Sequence, residues 1–107
     1  MPSLERRKTS YDLPAVLDAS AVRELHAQIE PLVSETADLT LNAAAVERLG
    51  TQAVQLLVAT ARALEMNGGR LAIVNITPTF REAYADLGLI AELDARSPLN
   101  AEKDSDG

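Results

Sequence analysis

In this chain of 107 residues, the groups able to do chemistry are few and scattered. Thr51 stands where an apolar run with helical spacing begins, so its hydroxyl can cap that helix by accepting hydrogen bonds from free amides. The same position would stabilise a phosphate through those amides and the helix dipole. Both roles use one geometry, and the residues alone leave both open, with ordinary capping the simpler. The single histidine, His26, lies beside an apolar helical face. With no cysteine and no second histidine in the chain, it reads as a helix-flank residue rather than a ligand or base. Glu24, Glu30, Glu35 and Glu47 occupy scattered polar positions, and no two of them can be identified as an acid and a base sharing a pocket. A solvated face accounts for them. Gly68-Gly69 precedes a strand-like run, whereas a phosphate-binding loop needs a longer glycine-rich stretch followed by Lys and Ser or Thr ahead of a helix. The glycine pair therefore reads as a helix stop. No catalytic residue, metal site or cofactor is expected, and the chain is read as non-enzymatic.

The elements that would position Thr51 follow from periodicity. The first ten residues are polar and read as a tail or a first edge strand, with Tyr11 and Leu13 the earliest candidates for burial. Pro14 to Leu17 suits a short strand, after which Asp18 or Ser20 can cap a helix. Val22, Leu25, Ile29, Leu32 and Val33 recur at the spacing of one helical face, with Arg23, Glu24, Gln28 and Glu30 elsewhere. Pro31 removes a backbone donor inside that pattern, so a kink or the start of an ending is expected there. Asp38 to Asn42 alternates and stops at a polar residue, as a short strand would, and Ala43 to Gly50 reads as a connecting loop. From Thr51, Val54, Leu57, Val58, Ala61 and Leu64 form a second helical stripe, stopped at Asn67-Gly68-Gly69.

Arg70 to Asn75 is a nearly continuous apolar run, the pattern of a central strand covered on both faces. Thr77-Pro78 supplies a cap and a first-position proline for a third helix with Phe80, Ala83, Tyr84 and Leu87 on one stripe, ending at Gly88. Leu89, Ile90 and Leu93 read as the start of a last short strand, and Ser97 to Gly107 is polar and charged, suited to a frayed end. Helices alternating with short strands imply an α/β layer protein. The expected division is an N-terminal segment or edge strand over 1–11, one domain over 12–95 and a polar tail over 96–107.

Composition narrows the partners. One compact domain fits the length. Hydrophobic residues are 47% of the chain but aromatics only 3%, so the core must be built from Leu, Val, Ile and Ala. The absence of cysteine excludes disulfides and thiolate metal sites and fits a cytoplasmic protein. A net charge of -6 and a pI near 4.6 argue against nucleic acid, whose phosphates reward clustered Lys and Arg. The basic cluster Glu5-Arg6-Arg7-Lys8 is followed by no long apolar run of the kind a secretory signal requires. No stretch approaches the length of a membrane-spanning helix, so direct membrane insertion is not expected.

Three ordered stretches carry a resemblance. Leu39 to Leu57 (Leu-Thr-Leu-Asn-Ala-Ala-Ala-Val-Glu-Arg-Leu-Gly-Thr-Gln-Ala-Val-Gln-Leu-Leu) resembles the strand, loop and Asp-Ser-Ser-Gly-like helix start of the STAS family. Asn67 to Asn75, then Thr77-Pro78 and Leu87-Gly88-Leu89, are similar to its downstream pattern. The resemblance covers roughly Leu13 to Leu93. The family includes bacterial anti-sigma factor antagonists and related modules in chemotaxis and lipid-transport systems. It implies a sheet of about four to five strands, mixed and mostly parallel, with helices packed against it.

The resemblance also implies a site. In the family, the helix start after the third strand is a switch, where a kinase-like partner phosphorylates Ser or Thr and the added charge changes partner affinity. Here Asn42 takes the place of a common aspartate at the strand end, Gly50 replaces the aspartate before the hydroxyl pair, and Gln52 fills the second hydroxyl position. Thr51 is the hydroxyl that remains. Either Gln52 leaves a constitutive docking surface, or Thr51 has become the phosphoacceptor. The expected partner-binding residues are Asn42, Gly50, Thr51, Gln52 and Gln55, docking a histidine-kinase-like or anti-sigma protein. The rival expectation is an accessory subunit of a membrane lipid-transport ATPase; the wording of Val46 to Leu49 and Val54 to Leu57 leans towards chemotaxis-associated members. Weak homodimerisation is compatible with either.

Overall fold

The computed structural model describes residues 8–34 and 38–97. In chain order the elements are β1 (Lys8–Asp12), β2 (Val16–Leu17), α1 (Ala19–Ser34), β3 (Asp38–Asn42), β4 (Arg48–Leu49), α2 (Thr51–Met66), β5 (Arg70–Val74), α3 (Pro78–Asp86) and α4 (Ile90–Arg96). β1, β3 and β5 form a parallel sheet in that order, while β2 and β4 pair in parallel as a separate two-stranded ladder. Parallel neighbours cannot be joined by a tight turn, so α1 and α2 lie in the connections from β1 to β3 and from β3 to β5. The expected α/β class, with parallel strands and packed helices, is what the chain adopts.

Periodicity decides which face is buried. In β3, Leu39 and Leu41 are buried and in β5 Leu71 and Ile73 are. They meet Leu25 and Ile29 of α1, Ala53, Val54, Leu57, Ala61 and Leu64 of α2, and Leu93 of α4 in one core. Phe80 and Tyr84 are the aromatic members of that core, stacked at 5.5 Å between ring centroids. Burial pushes the Tyr84 phenol far above its ordinary value, the nearby Glu92 carboxylate adds to the rise, and Arg96 opposes it.

The helix termini explain why the helices start and stop where they do. Asp18 caps α1, its Oδ1 accepting the Ala21 N–H at 3.0 Å, and α1 continues past Pro31 to Ser34. Gly68, at φ 86°, ends α2: its N–H donates to Glu65 O, and the Gly69 N–H reaches back to Leu64 O at 2.7 Å. Gly88, at φ 73°, repeats the motif on α3, with Leu89 N–H on Tyr84 O at 2.8 Å. Both are Schellman closures, which use a left-handed residue to satisfy the last carbonyls of a helix.

Four expectations need correction. Leu89, Ile90 and Leu93 do not start a strand. They open α4, because Ile90 and Leu93 are spaced for one helical face, with Leu93 fully buried. Among the described residues Arg70–Val74 is not the central strand: β3 is central, and β5 has β3 as its strand neighbour. Ala72 and Val74, on the face opposite Leu71 and Ile73, are only half-buried, so the apolar run does not mark burial on both sides. The stretch from Ala43 to Gly50 is more than a loop, since the amides of Glu47 and Arg48 both donate to Ala15 O and set β4 beside β2. Finally, Thr51 is not the cap of α2; Gly50 is.

α4 reaches Arg96, one residue beyond the domain end expected from the sequence. Only 12% of its side chain is exposed, and it holds Glu65 of α2 and Glu92 of α4. Arg62 approaches Glu92 at 3.9 Å, and Arg81 pairs with Asp94 at 3.2 Å. Glu5, Arg6, Arg7 and Glu35 lie outside the described residues, as does the tail from 98 onward. No helix among the described residues is long and apolar enough to cross a membrane.

Candidate functional site

α2 begins at a glycine that offers no side-chain cap. Gly50 has an extended backbone, φ -86° and ψ 170°, and its carbonyl takes the Ala53 and Val54 amides at 3.1 and 3.2 Å. The amides of Thr51 and Gln52 belong to the first turn, where a helix has no internal acceptor. Thr51 and Gln52 are exposed, Ala53 and Val54 are buried, and Gln55 is exposed again. This alternation turns Thr51, Gln52 and Gln55 to solvent on one face while Val54 and Leu57 anchor the other in the core. Among the described residues, the Thr51 hydroxyl has no hydrogen-bond partner.

Beside this helix start lies an open cleft of about 460 Å³, lined by Val16, Leu17, Asp18, Glu47, Arg48, Leu49, Gly50 and Thr79. The β2–β4 ladder supplies four of these eight residues: Val16, Leu17, Arg48 and Leu49. The Gly50 N–H leans on Leu17 O at 3.4 Å, which ties the start of α2 to β2. Thr77 ties the start of α3 to the stretch ahead of β4: its hydroxyl donates to Val46 O at 3.1 Å and accepts the Phe80 N–H at 3.2 Å. Val16 is 40% exposed, an apolar side chain left open at the mouth.

Asn42 belongs to a different cluster. Its Nδ2 donates to Asp12 Oδ1 at 3.2 Å, while its Oδ1 accepts from Ala44 N at 3.0 Å and from Asn75 Nδ2 at 3.0 Å. In register, Asp12, Asn42 and Val74 stand level at the ends of the three parallel strands. Asn75 follows directly with φ 56°, a left-handed turn that asparagine tolerates better than most residues. The Asn42 carboxamide thus ties the strand ends together rather than pointing free into the cleft.

The residues expected from the sequence therefore divide. Gly50, Thr51, Gln52 and Gln55 fall together at the helix start, and Asn42 braces the strand ends. Reading the sequence missed Asp18, Glu47 and Arg48 as cleft walls and Asp12 and Asn75 as partners of Asn42. The signal for the second pair was available, since each lies at or just after a strand end and parallel register brings such ends together. His26 and Glu30 line a shallow groove between α1 and α2 with Ile29, Val33, Leu56 and Ala63. Among the described residues, no group of three or more His, Asp or Glu is placed to hold a metal ion.

A parallel sheet with helices in its crossovers, and an exposed helix N-terminus in the crossover from β3 to β5, define a class. The family model described as "Mlab, STAS domain" matches residues 4–93, and the chain belongs to the STAS family. The structure of the anti-sigma factor antagonist SpoIIAA in its unphosphorylated form is similar in fold, with a TM-score of 0.70 and 24% identity over 82% of this chain and 78% of that one. A search of curated proteins finds no match.

Proposed function

We propose that this chain is a regulatory protein-binding module, cytoplasmic and without enzymatic activity, that docks a signalling protein through the start of α2. The observation that carries the reading is the exposed helix start, without a side-chain cap, at Gly50, Thr51, Gln52 and Gln55 beside an open cleft. Membership of the STAS family and likeness to an anti-sigma factor antagonist support it. The partner in this reading is a kinase-type or anti-sigma protein, in a pathway of the chemotaxis or sigma-factor kind. Asn42 contributes by holding the strand ends in place.

Thr51 is the phosphoacceptor in the switched form of the proposal. A phosphate on its unbonded hydroxyl would lie against the first-turn amides and the positive end of α2, where negative charge is stabilised. Asp18 and Glu47 in the neighbouring cleft would then add their charge to a partner-facing surface turned strongly negative.

The test is capture of partners from the native cell by wild-type, Gln52→Arg and Thr51→Glu proteins, with mass spectrometry of what is retained. Loss of a specific protein with Gln52→Arg supports the docking surface, and equal capture by all three proteins counts against both the surface and the switch. A second reading, an accessory subunit of a lipid-transport ATPase complex, draws on the family description and on Gln52, which leaves a docking surface that is always available. Retention of a transporter ATPase subunit in the same experiment, unaffected by Thr51→Glu, favours it.

A further inference from the structure

The outer edge of β1 carries information that the α2 surface does not. Among the described residues, β1 has β3 as its strand neighbour on one side and none on the other. The Leu13 N–H donates to Asn42 O at 2.9 Å, and Asp12 stands level with Asn42. Peptide groups alternate sides along a strand, so Thr9, Tyr11 and Leu13 turn theirs towards β3 and Lys8, Ser10 and Asp12 turn theirs outward. The same three residues are exposed, and Thr9 and Tyr11 are half-buried.

Read along the free edge, Lys-Thr-Ser-Tyr-Asp is complementary to its own reverse. We infer that β1 pairs with β1 of a second copy, antiparallel about a two-fold axis at Ser10, joining two three-stranded sheets into one. In that register Lys8 faces the partner's Asp12, Ser10 faces its own symmetry mate, and Asp12 faces the partner's Lys8. Each of these is a hydrogen-bonded position of an antiparallel ladder, so every outward peptide group of β1 gains a partner. Tyr11 lies opposite the partner's Thr9 on the helix-covered face, a pairing of an aromatic with a β-branched residue that such ladders favour. A two-fold axis requires this self-complementarity.

Charge selects the register. Sliding the two strands to centre on Lys8 or on Asp12 sets like charges directly opposite each other, which is destabilising. One Asp12 oxygen accepts the Asn42 side-chain amide, and its second oxygen remains to meet the incoming ammonium. Lys on an edge strand ordinarily discourages indiscriminate pairing. Here its spacing from Asp12 rejects other strands and accepts this one. The contact is short, which places it with the weak, small interfaces.

Sedimentation equilibrium over a wide concentration range tests the proposal. The wild-type chain is expected to show a monomer–dimer equilibrium that weakens as salt is added, because its exposed ion pairs are screened. Lys8→Asp should weaken association about tenfold or more, and the Lys8→Asp, Asp12→Lys double variant should restore it by exchanging the charges. Ser10→Pro removes an outward N–H that no ladder among the described residues uses, so it should abolish association with the far-ultraviolet dichroism of the wild type. A wild-type chain that stays monomeric at the highest attainable concentration overturns the proposal. So does a dimer that survives Ser10→Pro or Lys8→Asp, or a folded double variant that remains monomeric.

Discussion

Asn42 donates its side-chain amide to the Asp12 carboxylate at 3.2 Å and receives the Asn75 amide at 3.0 Å, so one carboxamide fastens the ends of all three long strands. A carboxylate in its place could accept from Asn75 but could not donate to Asp12. An acid at position 42 would therefore set two carboxylates against each other at the strand ends.

Asn42→Asp is expected to lower stability by about 1–2 kcal/mol, through one lost hydrogen bond and the repulsion of two neighbouring carboxylates. Adding Asp12→Asn should recover most of the loss, since donor and acceptor then exchange places. Urea denaturation of the two single variants and the double variant gives the coupling energy directly.

Gly50→Asp should stabilise the fold. The backbone there is extended with negative φ, and a Cβ would meet only Leu17 O, at 3.8 Å, an ordinary contact. An aspartate cap exceeds glycine by a few tenths of a kcal/mol, and its charge at the helix start adds about 0.3–1 kcal/mol. A rise in the thermal midpoint at low salt that shrinks as salt is added is the expected result.

Gly88→Ala should do the opposite. Nothing lies within 4 Å of a Cβ at that position, yet φ is +73°, and an L side chain in the left-handed region costs about 1–2 kcal/mol. A loss of that size in denaturant titration, beside a near-neutral Gly50→Ala, would separate backbone strain from crowding.

Arg96→Ala should release the end of α4. The guanidinium joins Glu65 to Glu92 from a largely covered position, while Glu65 itself is 46% exposed, so the cost should fall between surface and buried ion pairs, about 1–2 kcal/mol. Amide exchange should accelerate along α4 and much less in β3.

Alkaline titration should report on Tyr84. The Tyr84 phenol is pushed up by burial, then by Glu92, so the unfolded chain ionises first as pH rises. Its contribution to stability is complete below pH about 10, the ordinary phenol value. Above that it falls by about 1.4 kcal/mol per pH unit until the folded value is passed. Phenolate absorbance from Tyr84 should appear together with unfolding, and Tyr84→Phe should flatten the alkaline decline.

The sequence made the helices legible because their signals are local. Asp18, Gly68, Thr77 and Gly88 each act within a few residues, and each does what its type suggests. Strand position was less legible: Arg70 to Val74 is apolar enough for a central strand, but which strand lies between two others is set by crossovers that no window of sequence contains. The stretch from Leu89 to Leu93 failed for a related reason, because a short apolar run fits either period until Arg96 finds Glu65 from another helix. At the candidate site, the exposed helix start was visible in the spacing of Thr51, Gln52 and Gln55. The bracing role of Asn42 was not, since its partners lie about thirty positions away on either side.

The ladder between Val16–Leu17 and Arg48–Leu49 has only two rungs, and it lines the cleft beside the α2 start. Leu17, one of those rungs, is 1% exposed and its carbonyl holds the Gly50 amide, so the threshold is moored to the keel: any displacement of the α2 start pulls directly on a residue of the buried interior.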